Sequence, residues 1–241
     1  MKISDKLALI AENTPKVFDA GKQAAHDAFW DDYQQNGNRQ DYAGAFGGEG
    51  WTDKTFQPKY DMRPTRADYM FRKCLISDLD FILTHVLDGR TLDFSNCTNM
   101  TEAFSNAPNL TSVGVIDVRK AGANIANMFS YSNVSYISKL IVGENNVFTY
   151  FGEMRNLEHV IFEGTIKKSG INLQWSTKLD QESITSIINC LSTETTGLTV
   201  TLSGTAVDTA FATSEGGGDG TASDEWIDLV ESKPNWTISL V

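Results

Sequence analysis

Residues 137–142 read Ile137-Ser138-Lys139-Leu140-Ile141-Val142, with apolar side chains at the first, fourth and sixth places. The same spacing stands at Ile76-x-x-Leu79-x-Phe81, Leu110-x-x-Val113-x-Val115 and Leu157-x-x-Val160-x-Phe162. A shorter form, Leu92-x-Phe94 followed by Cys97, lies between the first two. Ahead of the full copies stand the aromatic markers Met70-Phe71, Ala103-Phe104, Met128-Phe129 and Tyr150-Phe151. Alternation at the end of each hexad predicts a short strand. So small a unit cannot bury its own apolar face, so successive copies are expected to stack and share one core. Each inward Leu or Phe then contributes about 1.5–3 kcal/mol. Ser112, Gly114, Ser138, Ile141, His159 and Ile161 are expected on the outer face or flanks of the strands.

The hexads are flanked by segments of different character. Residues 1–35 predict N-terminal helices: Ile3, Leu7, Ile10 and Val17 lie on one stripe, interrupted by Thr14-Pro15, a cap followed by a proline suited to a first helical position. Two readings stand side by side, a homotrimeric stem formed through that stripe and a helix docked on its own domain. Residues 36–65, with Gly47-Gly48-Glu49-Gly50 and several aromatics, predict an irregular cap over the open end of the stack. Residues 66–175 hold the hexads and end in Ile171-x-Leu173-x-Trp175, expected to add one more strand. Residues 176–241 predict an αβαβ cap. Asp180 caps a helix bearing Ile184, Ile187, Ile188 and Leu191, and Ser223 caps another bearing Trp226, Leu229 and Val230. Leu198–Leu202 and Trp236–Leu240 alternate as strands that can pair.

Composition narrows the function classes. A net charge of −11 with no basic run longer than Lys167-Lys168 argues against nucleic acid and anionic membrane surfaces as partners. No stretch approaches the length needed to cross a bilayer. Residues 1–10 carry Lys2, Asp5 and Lys6 and no apolar segment of signal-peptide length. Cys74, Cys97 and Cys190 form no metal or redox spacing and read as buried thiols.

The stretch Leu92-Asp-Phe-Ser-Asn-Cys-Thr-Asn-Met-Thr-Glu-Ala-Phe104-Ser-Asn-Ala-Pro-Asn-Leu110 resembles the BspA-like bacterial surface leucine-rich repeats. Segments within residues 16–60, "AFWDDYQQNGNRQDYAGAF" and "GWTDKTFQPKYD", are similar to the head of leucine-rich-repeat proteins from phages and prophages of Gram-positive gut bacteria. The tail "LDQESITSIINCLS…LTVTLS…NWTISL" is similar to the end of the same proteins. The resemblance implies an α+β fold built on a short, irregular leucine-rich-repeat solenoid. It implies a non-enzymatic virion component, a tail, fibre or baseplate accessory assembled in the host cytoplasm. Its partners would be other virion proteins and a host surface glycan or protein. A bacterial cell-surface adhesin is the alternative.

Nothing in the residue pattern implies catalysis, a cofactor or a metal. Asp78 and Asp80 sit at outward strand positions. His26, His85 and His159 fall in different elements with no metal or triad spacing. The glycine run 216–220 lacks a phosphate-loop lysine. Asp219, Asp224 and Glu225 do not match an EF-hand and read as a solvated loop. Aromatics expected at the surface are the better lead, because they offer stacking platforms for sugars or anchors for proteins. The recognition surface predicted on this basis comprises Trp51, Tyr131, Tyr136 and His159.

Overall fold

The aromatic markers Phe71, Phe104 and Phe129 lie one above another in the core, and Phe46 joins them from below. Successive ring centroids are 5.4, 5.6 and 5.1 Å apart, and the last two pairs lie within 7° and 11° of parallel. The computed structural model describes residues 41–52, 56, 61–79, 92–148, 153–212 and 223–241. The predicted N-terminal helices with Ile3, Leu7, Ile10 and Val17, the end of the first hexad at Phe81, the marker Tyr150-Phe151 and the loop around Asp219 lie outside the described residues.

The ring stack follows from the backbone. Phe46 N–H donates to Met70 O at 2.8 Å, Phe71 N–H to Ala103 O at 2.7 Å and Phe104 N–H to Met128 O at 2.9 Å. Residues two before and two after each phenylalanine repeat the bond, as in Tyr69 N–H to Thr101 O and Lys73 N–H to Ser105 O. Four chain segments are thus held side by side with the hydrogen-bond spacing of a parallel ladder. Within each segment, bonds such as Met70 N–H to Ala67 O and Ala103 N–H to Met100 O coil the chain into tight turns. Those of type II need a left-handed residue at their third position. Tyr69, Lys73, Glu102, Asn106, Asn127 and Tyr131 fill it with φ between 53° and 61°. In the first segment Gly44 and Gly48 occupy the matching places. Each non-glycine there costs about 1–2 kcal/mol, which the buried rings and the ladder offset.

Beside these turns the hexads form a four-stranded parallel sheet in chain order: β1 (Asp78–Leu79), β2 (Ser112–Asp117), β3 (Tyr136–Val142) and β4 (His159–Gly164). The hexad positions of β3 and β4 are buried as their spacing predicts, and register corrects the hexad of β2. Val113 faces Ile137 and Ile137 faces Val160, while Ile116 faces Leu140 and Leu140 faces Phe162. The inward set of β2 is therefore Val113 and Ile116, with Val115 only half-buried opposite Lys139, and Gly114 is buried rather than outward. Between Ile137 and Leu140 the register with β4 shifts by one residue, a bulge that spacing alone could not reveal. At the end of β4, Gly164 has φ +118°, and a Cβ there would lie 2.1 Å from Val142 O. Only glycine fits this approach.

Polar side chains fasten the layers outside the core. The buried Asn146 amide donates to Val118 O at 2.7 Å and Gly122 O at 3.1 Å, and its oxygen accepts Gly143 N–H at 2.7 Å. Asn109 and Asn133 bond backward to Leu75 O and Pro108 O, and Asn156 donates to the Asn133 side chain. The buried carboxylates of Asp68 and Asp117 are each gripped by the guanidinium two residues away, Arg66 and Arg119. Burial pushes the thiols of Cys97 and Cys190 up to about 11, leaving them protonated and unreactive at neutral pH.

A helix closes the free edge of β4. Helix α1 (Gln181–Cys190) runs alongside it, and the serine hydroxyls on its near face accept strand N–H groups: Val160 to Ser183 Oγ at 2.8 Å, Phe162 to Ser186 Oγ at 3.0 Å. Covering an edge in this way removes a template for unwanted strand pairing. Asp180 caps α1 by accepting Ser183 N–H at 2.8 Å, as its sequence predicted. Lys233 closes the other end by donating to Asn189 O and Leu191 O.

The C-terminal elements depart from the predicted αβαβ order. Strand β6 (Leu198–Leu202) is followed by an unpredicted helix α2 (Gly204–Ala210), then α3 (Asp224–Glu231) capped by Ser223, then β7 (Trp236–Leu240). Strands β6 and β7 pair in parallel. Strand β5 spans only Asn172–Leu173 and pairs with β6, so it belongs to this second sheet and does not extend the first. Trp175, expected within that strand, lies beyond its end and is exposed. One contiguous apolar core nonetheless runs from Tyr42 to Trp236.

Three outcomes follow. Phe104→Ala should lower unfolding free energy by about 3–5 kcal/mol in urea titration, the usual range for a buried phenylalanine. Gly164→Ala should cost about 1–3 kcal/mol or more, since it combines strain with a clash on Val142. Burial opposes the charge of Asp180, but hydrogen bonds from Ser183 and His159 outweigh it and hold its pKa below the ordinary 3.8. A carboxylate with a depressed folded pKa stabilises above the unfolded value and loses that contribution as pH falls through the folded one. The stability difference between wild type and Asp180→Asn, which keeps the cap, should therefore be largest above about pH 4. It should shrink on further acidification in pH-resolved thermal melts.

Candidate functional site

Two of the tight turns and one extended segment meet around an open groove of about 730 Å³. The turn closed by Ser132 N–H to Phe129 O holds Tyr131 at its left-handed third position, φ 59°, and projects the ring into solvent with 68% of its surface exposed. Register places Gly48, Lys73 and Asn106 at the matching points of the other segments. An aromatic residue in this conformation, where Gly or Asn fits without strain, is the kind of local cost that collects at functional positions. The second turn, Leu173 to Ser176, is closed by Ser176 N–H to Leu173 O and an Asn172 side chain accepting Gln174 N–H. It leaves Trp175 44% exposed. Ser176 Oγ donates to Met154 O at 2.9 Å, which ties this turn to the segment carrying Glu153.

Tyr131, Glu153 and Trp175 line the groove together with Asn172, Gln174 and Thr201. The volume lies in the range of small-molecule sites, but the lining is richer in amides and hydroxyls than an apolar ligand would need. The Tyr131 hydroxyl donates to Glu153, and that bond together with the carboxylate's charge raises the phenol above its ordinary pKa. The Arg155 guanidinium sits 4.7 Å from the Trp175 ring centroid, a cation–π contact that steadies the indole. The arrangement offers two ring faces, planar amides and one carboxylate. It suits a ligand with apolar faces and many hydroxyl edges.

The four residues predicted as a recognition surface are divided by the structure. Tyr131 lines the groove. Tyr136 and His159 meet elsewhere, on neighbouring strands β3 and β4, with ring centroids 4.7 Å apart and planes within 9°. His159 is largely covered, and its Nδ1–H points at Asp180 Oδ2 at 2.6 Å. It braces the start of α1 rather than facing solvent. Trp51 is also not a free platform: it packs edge-on against Phe46 with a centroid distance of 5.0 Å, and its backbone carbonyl accepts Leu75 N–H. The residue pattern does not pick out Trp175, because its alternation with Ile171 and Leu173 places it in a strand, nor Glu153, which no spacing marks. The signal that could have found Trp175 is the Asn172-Leu173-Gln174 run before it, whose Asn favours an Asx turn.

Among the described residues, no group of three or more His, Cys, Asp or Glu is placed to hold a metal ion. Nor is any helix among them long and apolar enough to cross a membrane. Compared with known protein families, curated proteins and solved structures, the chain shows no significant match.

The coupling of Tyr131 to Glu153 gives a direct check. Glu153→Gln should bring the Tyr131 phenol down toward its ordinary pKa, read from the tyrosine ring resonances in a carbon-13 NMR titration. An unchanged titration would show that the two groups do not interact.

Proposed function

We propose that this chain is a non-enzymatic recognition protein that binds a surface glycan in the groove between Tyr131 and Trp175. The observation that carries the reading is the pair of exposed rings on two rigid turns, facing a lining of amides and hydroxyls with a single carboxylate. Sugars present flat apolar faces and hydroxyl edges, and such a lining meets both. Turns fastened to a stacked core hold the rings in place before binding, which lowers the entropy lost on association.

The stacked phenylalanines, the sequential parallel sheet and the helical edge cover support a wider reading as a short leucine-rich-repeat-like solenoid closed by a C-terminal cap. Taken with the resemblance of the sequence segments quoted above to phage leucine-rich-repeat proteins, a reading from the residues alone, this favours a place in a virion, as a tail, fibre or baseplate accessory that presents the groove to the host surface. Two measurements test the proposal. The protein should be found by mass spectrometry in purified particles. The fluorescently labelled chain should bind host cells, and Trp175→Ala with Tyr131→Ala should lower that binding at least tenfold while leaving the melting temperature near wild type. Binding that survives the double variant would move recognition away from the groove.

A further inference from the structure

We infer that the groove selects saccharides carrying a primary amine, with Glu153 as the counter-ion, an assignment that rests on the glycan reading above. Glu153 is the one ionised side chain among the described residues lining the groove. The bond from Tyr131 occupies one of about four acceptor positions on a carboxylate, which leaves the others, as far as the described residues go, for a ligand donor. An ammonium group supplies up to three donors and a charge, and charge-assisted bonds are roughly twice as strong as neutral ones. The Tyr131 ring reinforces the choice, since an aromatic face attracts cations. One face of Trp175 is already taken by the Arg155 guanidinium, which is not part of the lining, so the indole serves as an apolar platform for the sugar ring.

The remaining lining discriminates little by charge. Asn172 uses its side-chain oxygen on Gln174 N–H, which leaves its amide donors for sugar oxygens. Ser169 uses its hydroxyl oxygen to accept Thr199 N–H. These groups serve any hydroxylated ring, so selectivity falls to Glu153. The chain's net charge of −11 adds a long-range preference against uronic acids and other acidic saccharides.

Calorimetric titration of the full chain with three trisaccharides tests the inference: the glucosamine trimer with free amines, its fully N-acetylated form, and trigalacturonic acid. The glucosamine trimer should bind about tenfold more tightly than the acetylated one, and trigalacturonic acid should give no heat. Glu153→Gln, a change at an exposed side chain, should erase the difference between the glucosamine trimer and the acetylated trimer. Trp175→Ala should weaken both. Equal affinities in wild type, or a preference that survives Glu153→Gln, would overturn amine selection and leave the glycan reading standing. If none of the three bound, both would fall.

Discussion

Everything described here depends on one constraint: each chain segment must lie parallel to the next at hydrogen-bond distance while its phenylalanine meets the ring above. The bonds from Phe46, Phe71 and Phe104 to the carbonyls of the following segment enforce that distance. Ring spacings just over 5 Å are what the ladder allows, and flat stacking of Phe71, Phe104 and Phe129 fills the space between layers. Loss of one ring leaves a void against both neighbours, because interiors are packed too tightly to close it. The left-handed residues are a consequence of the same constraint. The chain must turn sharply at each level to bring the next phenylalanine into register.

That geometry decides which residues reach solvent. Two residues after each stacked phenylalanine the chain reaches the surface, at Gly48, Lys73 and Asn106 in the first three segments. At the level nearest the second sheet the residue is Tyr131, and the junction between the two sheets puts Trp175 and Glu153 within reach of one groove. The site is thus a product of where the first sheet ends and the second begins. Helix α1 makes the junction possible. It stops the first sheet by giving serine hydroxyls to β4, so that β5 pairs with β6.

Much of this order is legible in the residues, and the exceptions have physical causes. The aromatic markers signal the ring stack because a buried phenylalanine at each level has few alternatives. Asp180 and Ser223 mark helix starts since their side chains bond the first free N–H groups, a local effect that needs no tertiary contact. The register of the hexads is not local. A bulge between Ile137 and Leu140 and the shift from Val115 to Ile116 arise from pairing across strands, which spacing within one strand cannot report. Exposure of Trp175 and covering of His159 are likewise set by partners distant in sequence, Met154 for the turn that carries Trp175 and Asp180 for the imidazole.

The central claim is that the stack exists to hold two rings and a carboxylate around a sugar. An experimental structure of the full chain with the glucosamine trimer at saturating concentration tests it most directly. The account predicts a sugar ring lying against Tyr131 or Trp175, with an amine nitrogen within hydrogen-bond distance of Glu153. An empty groove with the trimer bound elsewhere, or no bound trimer at all, would contradict it.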